Sequence, residues 1–140
     1  MISMQDYLGP WAKSKDLTPA RRANAARLLT AVNTLLMGAM QEKIPLPINP
    51  KTKSQISGET YGGFRPQDCP QGSPNSAHKE GLAVDIYDPS GAIDAWLQNS
   101  PAAQKKYEEL GLYFEHPSKT SGWSHWGLRR PPSGKRFFYP

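Results

Sequence analysis

Three side chains in this chain have the types and spacing for metal chemistry. The run Ser76-Ala77-His78-Lys79-Glu80-Gly81-Leu82-Ala83-Val84-Asp85 sets a histidine seven residues before an aspartate. A second histidine, His125, follows Trp123-Ser124 and precedes Trp126. Two imidazoles and one carboxylate make a three-ligand zinc set that leaves a position open for water, as catalytic rather than structural sites do. The only cysteine, Cys69, rules out an internal disulfide and a multi-cysteine cluster. It lies in a Pro/Gly-rich loop, where an exposed thiol is expected, with a fourth ligand as the lesser alternative.

The elements that must position these residues follow from periodicity. Leu82, Val84 and Ile86 alternate with Ala83, Asp85 and Tyr87, the pattern of a half-buried strand. Gly111–Glu115 and Trp123–Leu128 read as two further strands, and Phe137-Phe138-Tyr139 as a last strand or a docking tail. Side chains alternate across a strand. If the aliphatic faces meet a common core, Asp85, Glu115 and His125 therefore gather on the opposite face. The same alternation sets His116 on the face of Leu112 and Phe114. Glu80 reads as a solvated charge, and Tyr61, Tyr87 and Trp123 as packed aromatics or groove walls.

That core needs a cover. Thr18 can cap a helix whose first turn holds Pro19. Leu28, Leu29, Val32, Leu35, Leu36, Ala39 and Met40 then recur with the spacing of one helical face, and the helix should fade near Lys43, ahead of Pro45 and Pro47. Ile44–Ser76, dense in Pro, Gly, Ser and Asn, reads as loops and short extended pieces. A short helix is expected over Ala92–Gln98, and another opens at Ser100-Pro101 and stops at Gly111. The sum is an α+β domain over 1–140: a small, mostly antiparallel sheet with a long N-terminal helix on one face. The motif-bearing core spans 54–128, with a basic tail at 129–140.

Charge is unevenly spread. Residues 1–115 hold twelve basic and twelve acidic side chains, and the net +5 comes entirely from Lys119, Arg129, Arg130, Lys135 and Arg136. Such a strip favours an anionic partner: nucleic acid, a phosphate-bearing surface or an anionic wall polymer. The apolar stretch Leu28–Met40 is far below the roughly 18 residues of a membrane span. With no basic leader ahead of an apolar run, the chain is expected to be made in a cytoplasm and to act without a membrane.

The run SAHKEGLAVD matches S-x-H-x-x-G-x-A-x-D, Gly63-Phe64-Arg65-Pro66 matches G-[YF]-R-P upstream, and Trp123-Ser124-His125 matches a W-x-H ending. In these residues the chain resembles the zinc D-Ala-D-Ala carboxypeptidase/L-Ala-D-Glu endopeptidase family, and the helix before them and the ending Gly127–Pro140 resemble its small phage-encoded members. The resemblance covers about residues 54–128. It implies a Hedgehog/DD-peptidase-like fold and one zinc held by His78, Asp85 and His125. It further implies Glu115 as the general base that deprotonates the zinc-bound water, with Arg65 beside the metal holding a substrate carboxylate or the developing oxyanion. Cleavage of peptide bonds in peptidoglycan stem peptides by a monomer follows, after release at lysis or carriage in a virion. One departure stands out. Many members place the glutamate two or three residues before the last histidine, whereas nine residues separate Glu115 from His125 here.

Two rival readings come from other classes. A degenerate zinc-containing wall-binding or phage structural module would keep the fold without hydrolysis. A nucleic-acid module would use Arg129, Arg130, Lys135 and Arg136, with Phe137 and Phe138 for stacking, but it leaves His78, Asp85 and His125 unexplained.

Overall fold

The computed structural model describes residues 1–140 as an α+β fold of four helices and one open, mixed, four-stranded sheet. The helices are α1 (Met4–Leu8), α2 (Pro19–Gln41), α3 (Ala92–Asn99) and α4 (Pro101–Leu110). The strands are β1 (Ala83–Tyr87), β2 (Tyr113–Glu115), β3 (Trp123–Gly127) and β4 (Phe137–Phe138). No helix is long and apolar enough to cross a membrane.

Helix α2 begins as its sequence dictates. The Thr18 hydroxyl accepts from the Arg21 N–H at 3.2 Å, and Pro19 fills a first-turn position that needs no donor. Its buried face, Ala25, Leu28, Leu29, Val32, Leu35, Leu36 and Ala39, joins Val84 and Ile86 of β1, Phe114 of β2 and Trp126 of β3 in one apolar cluster. Fully burying a Leu or Phe side chain contributes about 1.5–3 kcal/mol, so this stripe is what holds the sheet against the helix. Both carboxylate oxygens of Asp88 cap α3, accepting from the N–H groups of Ile93 and Asp94 at 3.0 Å each. Ser100 caps α4 through the Ala103 N–H.

The strand order is β1-β3-β2-β4, with β3 antiparallel to both β1 and β2, and β4 parallel to β2. Residues 129–140 therefore include an edge strand, and the segment before it returns across the sheet. Helix α1, which no periodicity in the sequence announces, is tied in at both ends. Asn33 of α2 exchanges two hydrogen bonds with the Ile2 backbone, and the buried Tyr7 hydroxyl donates to the Ala83 carbonyl at 3.0 Å. Strand β1 differs from the expected half-buried strand: all its residues except Tyr87 are buried, because the polar face around Asp85 is covered as well.

Candidate metal centre

Neighbouring strands bring the functional side chains into one row. Asp85 at the middle of β1 pairs directly with His125 at the middle of β3. Strand β2 pairs Tyr113 with Gly127 and Phe114 with Trp126, and one further step in that register sets Glu115 opposite His125. Glu115 is in turn the partner of Phe138 on β4. The nine residues between Glu115 and His125 form the β2–β3 connection, with a 3-10 turn at Pro117–Lys119. Strand register makes Glu115 and His125 neighbours where sequence spacing does not.

His78 arrives from outside the sheet, on a 3-10 turn at Ala77–Glu80. The turn sits close on α2. Gly81 has φ +74°, and a Cβ there would stand 2.5 Å from the Arg21 carbonyl oxygen, so both its conformation and its surroundings demand glycine. Arg21 also pairs with Glu80 at 3.2 Å, so Glu80 is an ion-pair partner rather than the solvated charge expected. The loop Gly62–Arg65 supports the turn and β1 together. Gly63's carbonyl faces His78 Nδ1 at 2.8 Å, Gly62's carbonyl accepts from the Asp85 N–H at 2.8 Å, and the Arg65 N–H donates to the His78 carbonyl.

The donor atoms converge. His78 Nε2 lies 3.2 Å and His125 Nδ1 3.0 Å from Asp85 Oδ1, and the three donor atoms lie within 4.8 Å of one another. Arg65 Nη2 holds the other oxygen, Oδ2, at 3.3 Å, while Arg65 Nε donates to the Tyr61 carbonyl. Oδ1 is thus left for the imidazoles.

Protonation decides what this cluster can hold. A carbonyl can only accept, so His78 carries its proton on Nδ1 and presents a bare Nε2 lone pair. Burial pushes the His78 imidazole below its ordinary value, against the pull of Asp85, and keeps the ring neutral. Burial also pushes the Asp85 carboxyl up, but His78 and His125 outweigh it and hold Asp85 below the usual carboxylate range. Two lone pairs, on His78 Nε2 and Asp85 Oδ1, then face each other at 3.2 Å. A cation between them satisfies both. Tetrahedral zinc with ligands at about 2.0–2.2 Å requires donors about 3.3–3.6 Å apart; the two separations from Asp85 Oδ1, 3.2 and 3.0 Å, are close to that, and all three donors lie within 4.8 Å. A set of two imidazoles and one carboxylate is also a catalytic zinc set, with one coordination position left over. The residues fit the ion.

The cluster opens into a cavity of about 770 Å³, which Arg65, Ser76, Glu115, Trp123 and Phe138 also line. Glu115 is half-buried; burial raises its carboxyl, with His125 pulling it back down and Asp85 adding to the rise. His116 is not on the core face as alternation predicts. Strand β2 ends at Glu115 and Pro117 opens a 3-10 turn, so His116 instead caps that turn and stacks on Tyr139 with ring centroids 4.6 Å apart. Cys69 is buried, not exposed, with Sγ turned to the Gln71 carbonyl at 3.6 Å, and it belongs neither to the cluster nor to the cavity. Trp123 is a cavity wall; Tyr61 stacks on Trp11, and Tyr87 stays outside the cavity. Sequence reasoning missed the placement of four residues: the Gly63 carbonyl, Tyr7 behind it, and Arg129 and Arg130, which line the cavity rather than trail from it.

Comparison with family models, with curated proteins and with solved structures finds no match to this chain.

Proposed function

We propose that this chain is a zinc-dependent peptidase of the Hedgehog/DD-peptidase-like type, hydrolysing peptide bonds in bacterial peptidoglycan stem peptides. The observation that carries the reading is the facing of His78 Nε2, His125 Nδ1 and Asp85 Oδ1 on a cavity floor, with Glu115 one strand away. His78, Asp85 and His125 would hold the ion. When bound, zinc supplies Lewis-acid polarisation of a carbonyl and lowers the pKa of water in its open position to about 7.

The chain's own residues supply the rest. The Glu115 carboxylate accepts a proton from the attacking water and delivers it to the leaving amine. Its partial burial favours the protonated form it must visit between those two events. Arg65 pairs with Asp85 through Oδ2 and lines the cavity, where a guanidinium suits a substrate carboxylate or a developing oxyanion. The Gly63 carbonyl holds His78 in the tautomer that leaves Nε2 free.

Mass spectrometry of the soluble products from purified peptidoglycan, incubated with zinc-loaded protein, tests the reading. Stem-peptide fragments with new amino and carboxyl termini are expected, and their masses identify the bond. Intact stems, with zinc bound and wall binding retained, would replace hydrolysis by the wall-binding or phage structural module.

A further inference from the structure

The cavity has a second wall, and it is cationic. Arg129 and Arg130 line it together with Asn75, Ser76 and Ser133. Both arginines are exposed, whereas His78 and Asp85 are buried, so the pair forms the rim and the metal cluster the floor. Neither guanidinium enters an ion pair, and no acidic residue follows Glu115. Arg129 is nonetheless tied to the chain, and Arg130 lies close against it. Arg129 Nη1 donates to the Asn75 carbonyl, and the Arg130 guanidinium lies against Gly134, where a Cβ would stand 2.5 Å from Nη2. Pro131, which is buried, and Pro132 fix the backbone that follows.

Two adjacent guanidiniums without an acidic partner on a concave wall suit an anion that accepts two parallel hydrogen bonds. The neighbouring residues argue for a carboxylate on a peptide rather than a nucleic-acid backbone. A nucleic-acid strand would need free stacking surfaces. Of the rings that line the cavity, however, Tyr139 is stacked on His116 at 4.6 Å between centroids and Phe138 meets His125 edge-on at 6.0 Å. The polar rim residues Asn75, Ser76 and Ser133 add neutral groups suited to an extended peptide backbone.

We propose that Arg129 and Arg130 form a carboxylate-binding subsite, selecting peptides that carry a free carboxylate remote from the bond held at the metal cluster. This deepens the peptidase reading and rests on it for where the scissile bond lies. Adjacent substrate residues then span the cavity from rim to floor, with Arg65 serving the floor end and the arginine pair the rim.

The test uses the full zinc-loaded chain and a synthetic stem pentapeptide, compared by calorimetry with forms amidated at one carboxylate at a time. One amidation should weaken binding about tenfold, as loss of a charge-assisted pair does. An R129Q/R130Q double variant should bind the free and amidated forms alike, at the weaker level. Equal binding of every form by the wild-type chain, which requires no variant to fold, would overturn the subsite. So would an undiminished preference in the double variant, or displacement of the peptide by single-stranded DNA with a steep salt dependence. Cleavage is read separately. Carboxylate preference without cleavage supports the subsite while refuting the peptidase reading; cleavage of every form at equal kcat/KM overturns the subsite alone.

Discussion

Substituting Gly63 by alanine should damage the metal centre without touching a ligand. A Cβ at Gly63 would stand 2.8 Å from the Tyr7 carbonyl carbon and closer still to its oxygen. An unstrained carbon–oxygen contact needs about 3.3 Å, so loop and helix must part by more than about 1 Å. Helix α1 cannot easily yield, because Tyr7 is fixed through its hydroxyl to Ala83 and the chain before it is clamped by Asn33. The Gly63 carbonyl therefore moves. Its 2.8 Å contact with His78 Nδ1 stretches beyond the roughly 3.2 Å limit of a good hydrogen bond. With the tautomer no longer held, zinc affinity should fall about 10–100-fold, the usual effect of losing such an outer partner. Competition against a chromophoric chelator measures this directly. I93V, in the core at α3, is the control: it should cost about 0.5–1.5 kcal/mol of stability and leave zinc affinity unchanged. A folded G63A protein that binds zinc as tightly as wild type would show that the α1 side yields and that the carbonyl does not position His78.

Other consequences are independent of that one. Glu115→Gln should retain the fold and zinc while turnover of stem peptides falls on the order of 10²–10⁴-fold, and His116→Gln, capping an exterior turn, should be mild; the reverse ranking would move the base to His116. Arg65→Lys should keep zinc, since arginine is no ligand, yet lose on the order of 10²-fold in kcat/KM because a point charge cannot hold both Asp85 and substrate; wild-type turnover would remove the proposed clamp. Tyr7 titrates well above its ordinary value of 10.0, through burial first and then Asp85. The stability its protonated hydroxyl contributes is complete below that value and should be lost above it at up to about 1.4 kcal/mol per pH unit. Urea midpoints across that range should show a shallower alkaline decline in Tyr7→Phe, and equal declines would place the loss elsewhere.

Long, periodic and well-capped elements were legible in the sequence. Thr18, Pro19 and the apolar stripe of α2 act locally, so its ends and buried face could be read directly. The pairing of Asp85 with His125 was legible for a similar reason, since a polar residue on an otherwise apolar strand must leave the core face, as Asp85 does. What escaped depends on distant partners. Five residues of α1 are too few to show a period; Ser3 and Asp6 cap the helix locally, while Asn33 and Ala83 tie it to the rest of the fold. Gly63 acts through a backbone atom that no side-chain pattern reveals. Arg129 and Arg130 line the cavity where the chain leaves β3, with Arg129 tied to the distant Asn75 carbonyl, a long-range contact that charge counting along the sequence does not show. His116 left its expected face because alternation stops where the strand does, and Cys69 was misjudged because a loop can be buried by its own neighbours.

Zinc-edge anomalous diffraction from crystals of the zinc-saturated protein tests the central claim most directly. The account predicts one strong peak on the cavity floor, bonded to His78 Nε2, Asp85 Oδ1 and His125 Nδ1 at about 2.0–2.2 Å, with Glu115 nearby but not coordinating. Zinc bound elsewhere, or a saturated crystal with no peak among those three atoms, would contradict it.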